Sequence, residues 1–220
     1  MMEEPGLRRM LPSIPGWLEK GHIYCIDYAM KNIPNNIPIM EIGTYAGLST
    51  NVILYFLKKH NKNNTLYTTD WYLQDITDDE NIGFIENPRS FIDFIKESFI
   101  RNTLFFNRNA HIFSYDLASD EFFDAWNQNK TIIDLFGNTG NLGGNIAFAY
   151  IDGNHKYEFA KRDFENIDRI LITGGYILFD DSAGYTSWGS RDVAIEAVNT
   201  GRYKVIKQNP HYFVQKIVND

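Results

Sequence analysis

An apolar fraction of 44% over 220 residues is enough to bury one sizeable core, so the chain reads as a single domain. A net charge of −7, with Arg8-Arg9 and Lys58-Lys59 as short, separated basic pairs, excludes the clustered positive surface that nucleic acid requires. No apolar run reaches the length of about 18 residues that spans a membrane, and no signal peptide is expected from Met-Met-Glu-Glu-Pro. A single cysteine, Cys25, forms no internal disulfide and fits a reducing cytosol. The expectation is a cytoplasmic protein with a small-molecule partner.

Residues 1–13 read as a tail and 14–220 as the domain. From Ile14 to Met30 a lead-in helix is expected, with Ile23, Ile26 and Met30 on one face and Cys25 as a buried small hydrophobe. Pro34 and Pro38 mark a turn. Ile37 to Ile42 is then a strand that breaks into Gly43-x-x-x-Gly47, after which Val52, Ile53, Phe56 and Leu57 keep helical spacing. Strand, glycine turn and helix form the opening unit of a nucleotide-binding α/β domain. Gly43 and Gly47 let backbone approach a ligand, and the helix start offers free N–H groups. The same glycine pattern also serves tight turns that bind nothing. Glu41, at the strand's carboxyl end, suits an amine or a hydroxyl better than a phosphate and stands where open α/β sheets bind ligands.

Thr65 to Thr69 is the second strand and ends in Asp70-Trp71. An acid there is placed for a ribose hydroxyl pair, and Trp71 either covers an adenine or packs. Residues 72–86 are acidic and without period, a loop of the length often used as a lid. A helix is expected from Pro88 to Phe105, with Phe91, Phe94, Ile95 and Phe99 as its core stripe. Ala110 to Phe113 is a third strand ending in Ser114-Tyr115-Asp116, followed by a helix through Trp126 and a Gly/Asn-rich loop, 137–145. Ile146 to Ile151 is a buried strand ending in Asp152-Gly153-Asn154-His155. A helix from Lys156 to Leu171 is ended by Gly174-Gly175, and Tyr176 to Phe179 is the next strand, ending in Asp180-Asp181. The loop 183–190 and a helix Asp192–Val198 lead to two strands, Tyr203–Lys207 and Tyr212–Ile217, whose tight connection makes them antiparallel. The pattern is a mostly parallel sheet closed by an antiparallel hairpin, with helices on both faces.

Asp152, Asp180 and Asp181 end successive strands on the ligand face with no obvious basic partner in the sequence. Such carboxylates are partly protonated, share a hard divalent cation, or cap helices and face water. Taken in order, Glu41-x-Gly43-x-Tyr45-x-Gly47-x-Ser49-Thr50, Asp70, Asp152-Gly153-Asn154-His155-Lys156-Tyr157 and Gly174-Gly175 through Asp180-Asp181 resemble class I S-adenosylmethionine-dependent O-methyltransferases. The similarity is to the metal-dependent branch: catechol O-methyltransferases, macrocin-type sugar O-methyltransferases and their cephalosporin hydroxylase-like relatives. It covers residues 14–217.

The resemblance implies a Rossmann-like class I methyltransferase fold with seven strands. It implies that Gly43, Tyr45 and Ser49 hold the methionine part of S-adenosylmethionine with Glu41 close by, that Asp70 binds the ribose, and that Ser114 and Asp116 lie near the adenine; Thr44, Gly47 and Trp71 are further cofactor-binding candidates. Asp152, itself beside the cofactor, would hold Mg²⁺ or another hard divalent cation with Asp180 and Asp181. The branch places its base two or three residues after the first ligand; here those positions are Asn154 and His155, and only His155 can take a proton near neutrality. The expected reaction is methyl transfer to a hydroxyl of a sugar or phenol-like molecule, with Asp152 and His155 as catalytic residues. Lys156 or water stand as alternative proton acceptors, and a homo-oligomer is left open. The rival readings are a hydroxylase-like relative, a nicotinamide oxidoreductase, which lacks its G-x-G-x-x-G here, and a non-catalytic binding module.

Overall fold

Runs of β-branched and aromatic residues alternate with amphipathic helical segments, and the chain folds as that pattern demands. The computed structural model describes residues 4–72 and 87–218. Helices α1 (Pro5–Met10) and α2 (Lys20–Asn32) precede β1 (Ile39–Ile42); α3 (Leu48–Lys59) leads to β2 (Leu66–Asp70) and α4 (Pro88–Asn107) to β3 (Ile112–Asp116). There follow α5 (Ser119–Asn127), β4 (Thr131–Ile133), β5 (Thr139–Asn141), β6 (Ile146–Ile151), α6 (Tyr157–Ile170) and β7 (Leu171–Phe179). The remaining elements are α7 (Gly189–Asn199), β8 (Tyr203–Gln208) and β9 (Tyr212–Lys216).

Seven strands make one sheet in the order β3-β2-β1-β6-β7-β9-β8. From β3 to β7 all neighbours are parallel, and β9 runs antiparallel to both β7 and β8. This is the expected mostly parallel sheet with an antiparallel hairpin. Strand order reverses between β1 and β6, which makes their carboxyl ends the ligand-binding edge. Both strands are buried throughout, as central parallel strands must be. The period-2 alternation of β1 sends Ile39 into a layer with α1 to α4, and Met40 and Ile42 into a layer with α5 to α7. Among the described residues, no helix is long and apolar enough to cross a membrane.

Several local expectations change. Residues 5–10, read as part of a tail, form α1, and Leu7 and Met10 are buried in the core. Helix α2 begins only at Lys20, because the Glu19 backbone N–H is taken by the His22 ring rather than by a helical carbonyl. Gly174-Gly175 does not end α6. That helix stops at Ile170 and Leu171 already begins β7, so the glycines lie inside the strand, where the β6–β7 register shifts. Part of the Gly/Asn-rich loop pairs as β5 with β4, a two-stranded sheet too short and polar to show alternation. The acidic lid expected over 72–86 lies, beyond Tyr72, outside the described residues.

Candidate active site at the carboxyl ends of the strands

Glu41 is wholly buried at the end of β1. One carboxylate oxygen accepts from the Thr50 hydroxyl at 2.5 Å, whereas Oε1 is buried without a partner. Burial pushes this carboxyl up to about 7, with the nearby Asp70 charge adding to the effect.

The turn itself is drawn closed by Asp70. Its Oδ2 accepts from the Thr44 and Tyr45 backbone N–H groups at 2.8 and 2.7 Å and from the Thr44 hydroxyl at 3.2 Å. Burial raises the Asp70 carboxyl, and those N–H groups oppose the rise. Tyr45 takes a left-handed φ of 47°, and Tyr72 donates to its carbonyl at 2.8 Å. Gly47 enters α3, with Ser49 in the helix's first turn. Trp71 is exposed at the rim. The other two residues expected near the adenine are engaged elsewhere. Ser114 is buried and accepts from the Thr68 hydroxyl at 2.7 Å, while Asp116 accepts from the Tyr72 N–H at 3.0 Å and from Lys96 at 2.5 Å.

Beyond β6 and β7 the acids meet. Asp180 accepts from the Tyr150 hydroxyl on Oδ2 at 2.7 Å and from the Asp181 N–H on Oδ1 at 2.8 Å. Asp152 adjoins it: burial and then the Asp180 charge push the Asp152 carboxyl well up. Burial also opposes ionisation of Asp180, but His22 beside it prevails and holds that carboxyl below the usual range. Asp181 turns outward, its Oδ2 2.9 Å from Nδ1 of His155, whose ring lies 5.2 Å from that of Trp188. So the structure brings Asp152 and Asp180 together and sets His155 on Asp181.

Sequence reasoning left these carboxylates without a basic partner. The structure supplies His22, with Nε2 3.0 Å from Asp180 Oδ1, and His211, 3.7 Å away. His22 stands four residues before Ile26 on the buried face of α2, a signal the sequence does carry; His211 lies in a turn and carries none.

Two adjoining buried carboxylates repel one another when ionised and suit a hard divalent cation between them. Glu41 yields a check on the site's electrostatics. Its carboxyl is raised in the fold, so its stabilising contribution is present below the unfolded value of 4.5 and is lost as pH rises through about 7. Glu41→Gln is therefore expected to gain stability relative to wild type between pH 4.5 and 8, by up to about 3 kcal/mol. Urea midpoints at both pH values measure it; a pH-independent difference would show Glu41 ionising normally.

The methyltransferase-domain family model matches residues 40–182. No curated protein matches the sequence. Among solved structures, the O-methyltransferase NovP superposes with a TM-score of 0.60 at 16% identity, covering 89% of this chain and 79% of NovP. CalS11, the TDP-rhamnose 3'-O-methyltransferase of calicheamicin biosynthesis, gives 0.56 at 14% identity over 94% of this chain and 86% of its own. An O-methyltransferase from Bacillus cereus, solved with SAH, gives 0.55 at 15% identity over 99% and 92%. At these identities the likeness is one of fold. The family model, which runs from Met40 near the start of β1 to Ser182 just after Asp181, carries the assignment: the chain belongs to the methyltransferase-domain family and is an S-adenosylmethionine-dependent methyltransferase.

Proposed function

We propose that this methyltransferase acts on a hydroxyl oxygen of a small molecule, a sugar or a phenol-like ring, in the cytoplasm and without nucleic acid or membrane as partner. The observation that carries the cofactor's placement is Glu41 Oε1, an unpaired buried acceptor under a turn closed by Asp70. Glu41 would take the ammonium, with Gly43, Thr44, Tyr45, Gly47 and Ser49 around the methionine part. Asp70 would face the ribose, and Trp71 would cover the adenine from the rim. Ser114, whose hydroxyl accepts from Thr68, and Asp116, which accepts from Lys96, would lie near the adenine at the end of β3. Three structural neighbours being O-methyltransferases supports oxygen as acceptor atom.

Asp152, Asp180 and Asp181 would hold a divalent cation, which when bound would lower the pKa of a hydroxyl and orient its oxygen. The chain's own residues do the rest. Asp152 and Asp180 fix the acceptor's place opposite the cofactor turn, and His155, oriented through Nδ1 by Asp181, receives the hydroxyl proton. Exposed Tyr185 and Trp188 give the mouth flat apolar walls suited to a ring.

The test is calorimetric titration with S-adenosylhomocysteine, followed by labelled methyl transfer to a panel of catechol and sugar hydroxyls. Tight NADH binding with no response to S-adenosylhomocysteine would overturn the reading. Asp152→Asn should reduce turnover far more than cofactor affinity, and His155→Ala should lower kcat by roughly 10²–10⁴ with cofactor binding intact. Full turnover of wild type in excess chelator would recast the three acids as structural.

A further inference from the structure

The floor of the site contains two imidazoles from opposite ends of the chain. His22 sits in the first turn of α2 and His211 in the β8–β9 turn; both are buried, and their rings stack at 4.4 Å and 20°. One ligand atom from each lies within 4.8 Å of the other and of Asp180, a set that by residue type would suit a transition metal. The hydrogen bonds argue otherwise. The Glu19 N–H donates to His22 Nδ1 at 3.1 Å, and the Ser182 N–H donates to His211 Nδ1 at 3.0 Å. A neutral ring that accepts at Nδ1 carries its proton on Nε2, and a protonated nitrogen offers no lone pair to an ion.

Both rings therefore present N–H groups. That of His211 faces Glu19 at 3.8 Å and that of His22 faces Asp180 Oδ1 at 3.0 Å. The His22 N–H is not aimed squarely at Oδ1, and it has no other acceptor, so nothing competes with Asp180 for it. The ring cannot drift: α2 meets the β8–β9 turn so closely that a Cβ on Gly21 would lie 1.5 Å from the Asn209 carbonyl oxygen. Tyr212 N–H and Ser182 Oγ, bonded at 2.8 Å, fasten the same turn beneath Asp180.

We propose that His22 is a positioning residue for the cation ligand Asp180. Seated by Glu19, it sets an N–H against Oδ1, while the Asp181 N–H holds that same oxygen and the Tyr150 hydroxyl holds Oδ2. The plane of the carboxylate is thus fixed, with one acceptor site of Oδ2 left for the Asp152 side. This rests on the metal-assisted reading above. Partners of this kind around a metal ligand are worth about 10–100-fold in metal affinity.

The test uses the full chain and Mn²⁺ alone as probe, by calorimetry and by electron spin-echo spectroscopy of the bound ion. His22→Phe, which keeps a ring against His211 but has no N–H, is expected to weaken Mn²⁺ binding about 10–100-fold without changing S-adenosylhomocysteine affinity. His22→Gln, whose amide can reach Asp180, should recover most of the loss; His22→Asn, too short to reach it, should not, and this pair decides the matter if the Phe variant fails to fold. The echo spectrum should show no directly bound nitrogen. Wild-type affinity in both the Phe and Asn variants would overturn the role of His22, as would a strong nitrogen coupling that disappears in them, since His22 would then be a ligand. A wild-type protein that binds no Mn²⁺ would overturn the metal-assisted reading itself, and this role with it.

Discussion

Gly43→Ala is expected to abolish S-adenosylhomocysteine binding and to destabilise the protein by about 3–5 kcal/mol. The residue has a φ of +84°, and a methyl group there would stand 1.9 Å from the carbonyl oxygen of Asp152. That neighbour is backbone and cannot step aside. It is tied to β1 by the Asp152 N–H donating to Ile42 at 2.8 Å, and Gly43 is tied to β2 by its N–H donating to Thr69 at 2.9 Å. Making room means parting β1 from β6 at the edge where the site is built. The unfavourable left-handed backbone adds to the cost. Urea denaturation and calorimetry with S-adenosylhomocysteine check both effects, and a variant with wild-type midpoint and affinity would show that the two strand ends have room to separate.

Asp70→Ala should come next in size, reducing cofactor affinity by at least about 10²-fold, as expected from two backbone donors left without their charged acceptor at roughly 1–3 kcal/mol each. The reason differs from ribose binding alone. Oδ2 gathers the Thr44 and Tyr45 N–H groups, and without it the turn has nothing to close on. Asp70→Asn separates the two roles, because an amide oxygen can still accept from the turn while its nitrogen cannot accept from a ribose hydroxyl. The Asn variant is expected to keep near-wild-type stability and to lose affinity for S-adenosylhomocysteine more than for methionine-like fragments. Equal loss in Asn and Ala variants, in stability as in affinity, would mean that charge rather than acceptor geometry holds the turn.

The elements that position the site were legible because each carries a strong local signal. The apolar run into Gly43, the buried strand ending at Asp152 and the hairpin around Asn209 announce themselves by periodicity and turn chemistry. Gly174-Gly175 misled because glycine marks both helix ends and strand irregularities, and the choice here was made by pairing of β7 with β6. Ser114 and Asp116 were placed correctly at the end of β3, but where their side chains go depends on Thr68 and Lys96, partners in other elements. His22 carried a signal on the buried face of α2, but its meeting with His211 and Asp180 depends on long-range packing that local periodicity does not report.

Strand β9 runs between β7 and β8, yet it is the last strand of the sheet to leave the ribosome. Until Phe213 and Val214 arrive, Leu178 and Ile177 lie on a bare strand edge, the kind that templates pairing with a neighbouring chain. A nascent chain that stalls after β8 would already hold Glu41, Gly43 and Asp70, and so the means to grip a cofactor. It would lack His211 and the turn against which Gly21 seats α2. Such a half-made enzyme would be sticky along β7 and unformed at Asp180, so quality control during synthesis has its narrowest window in the final hairpin.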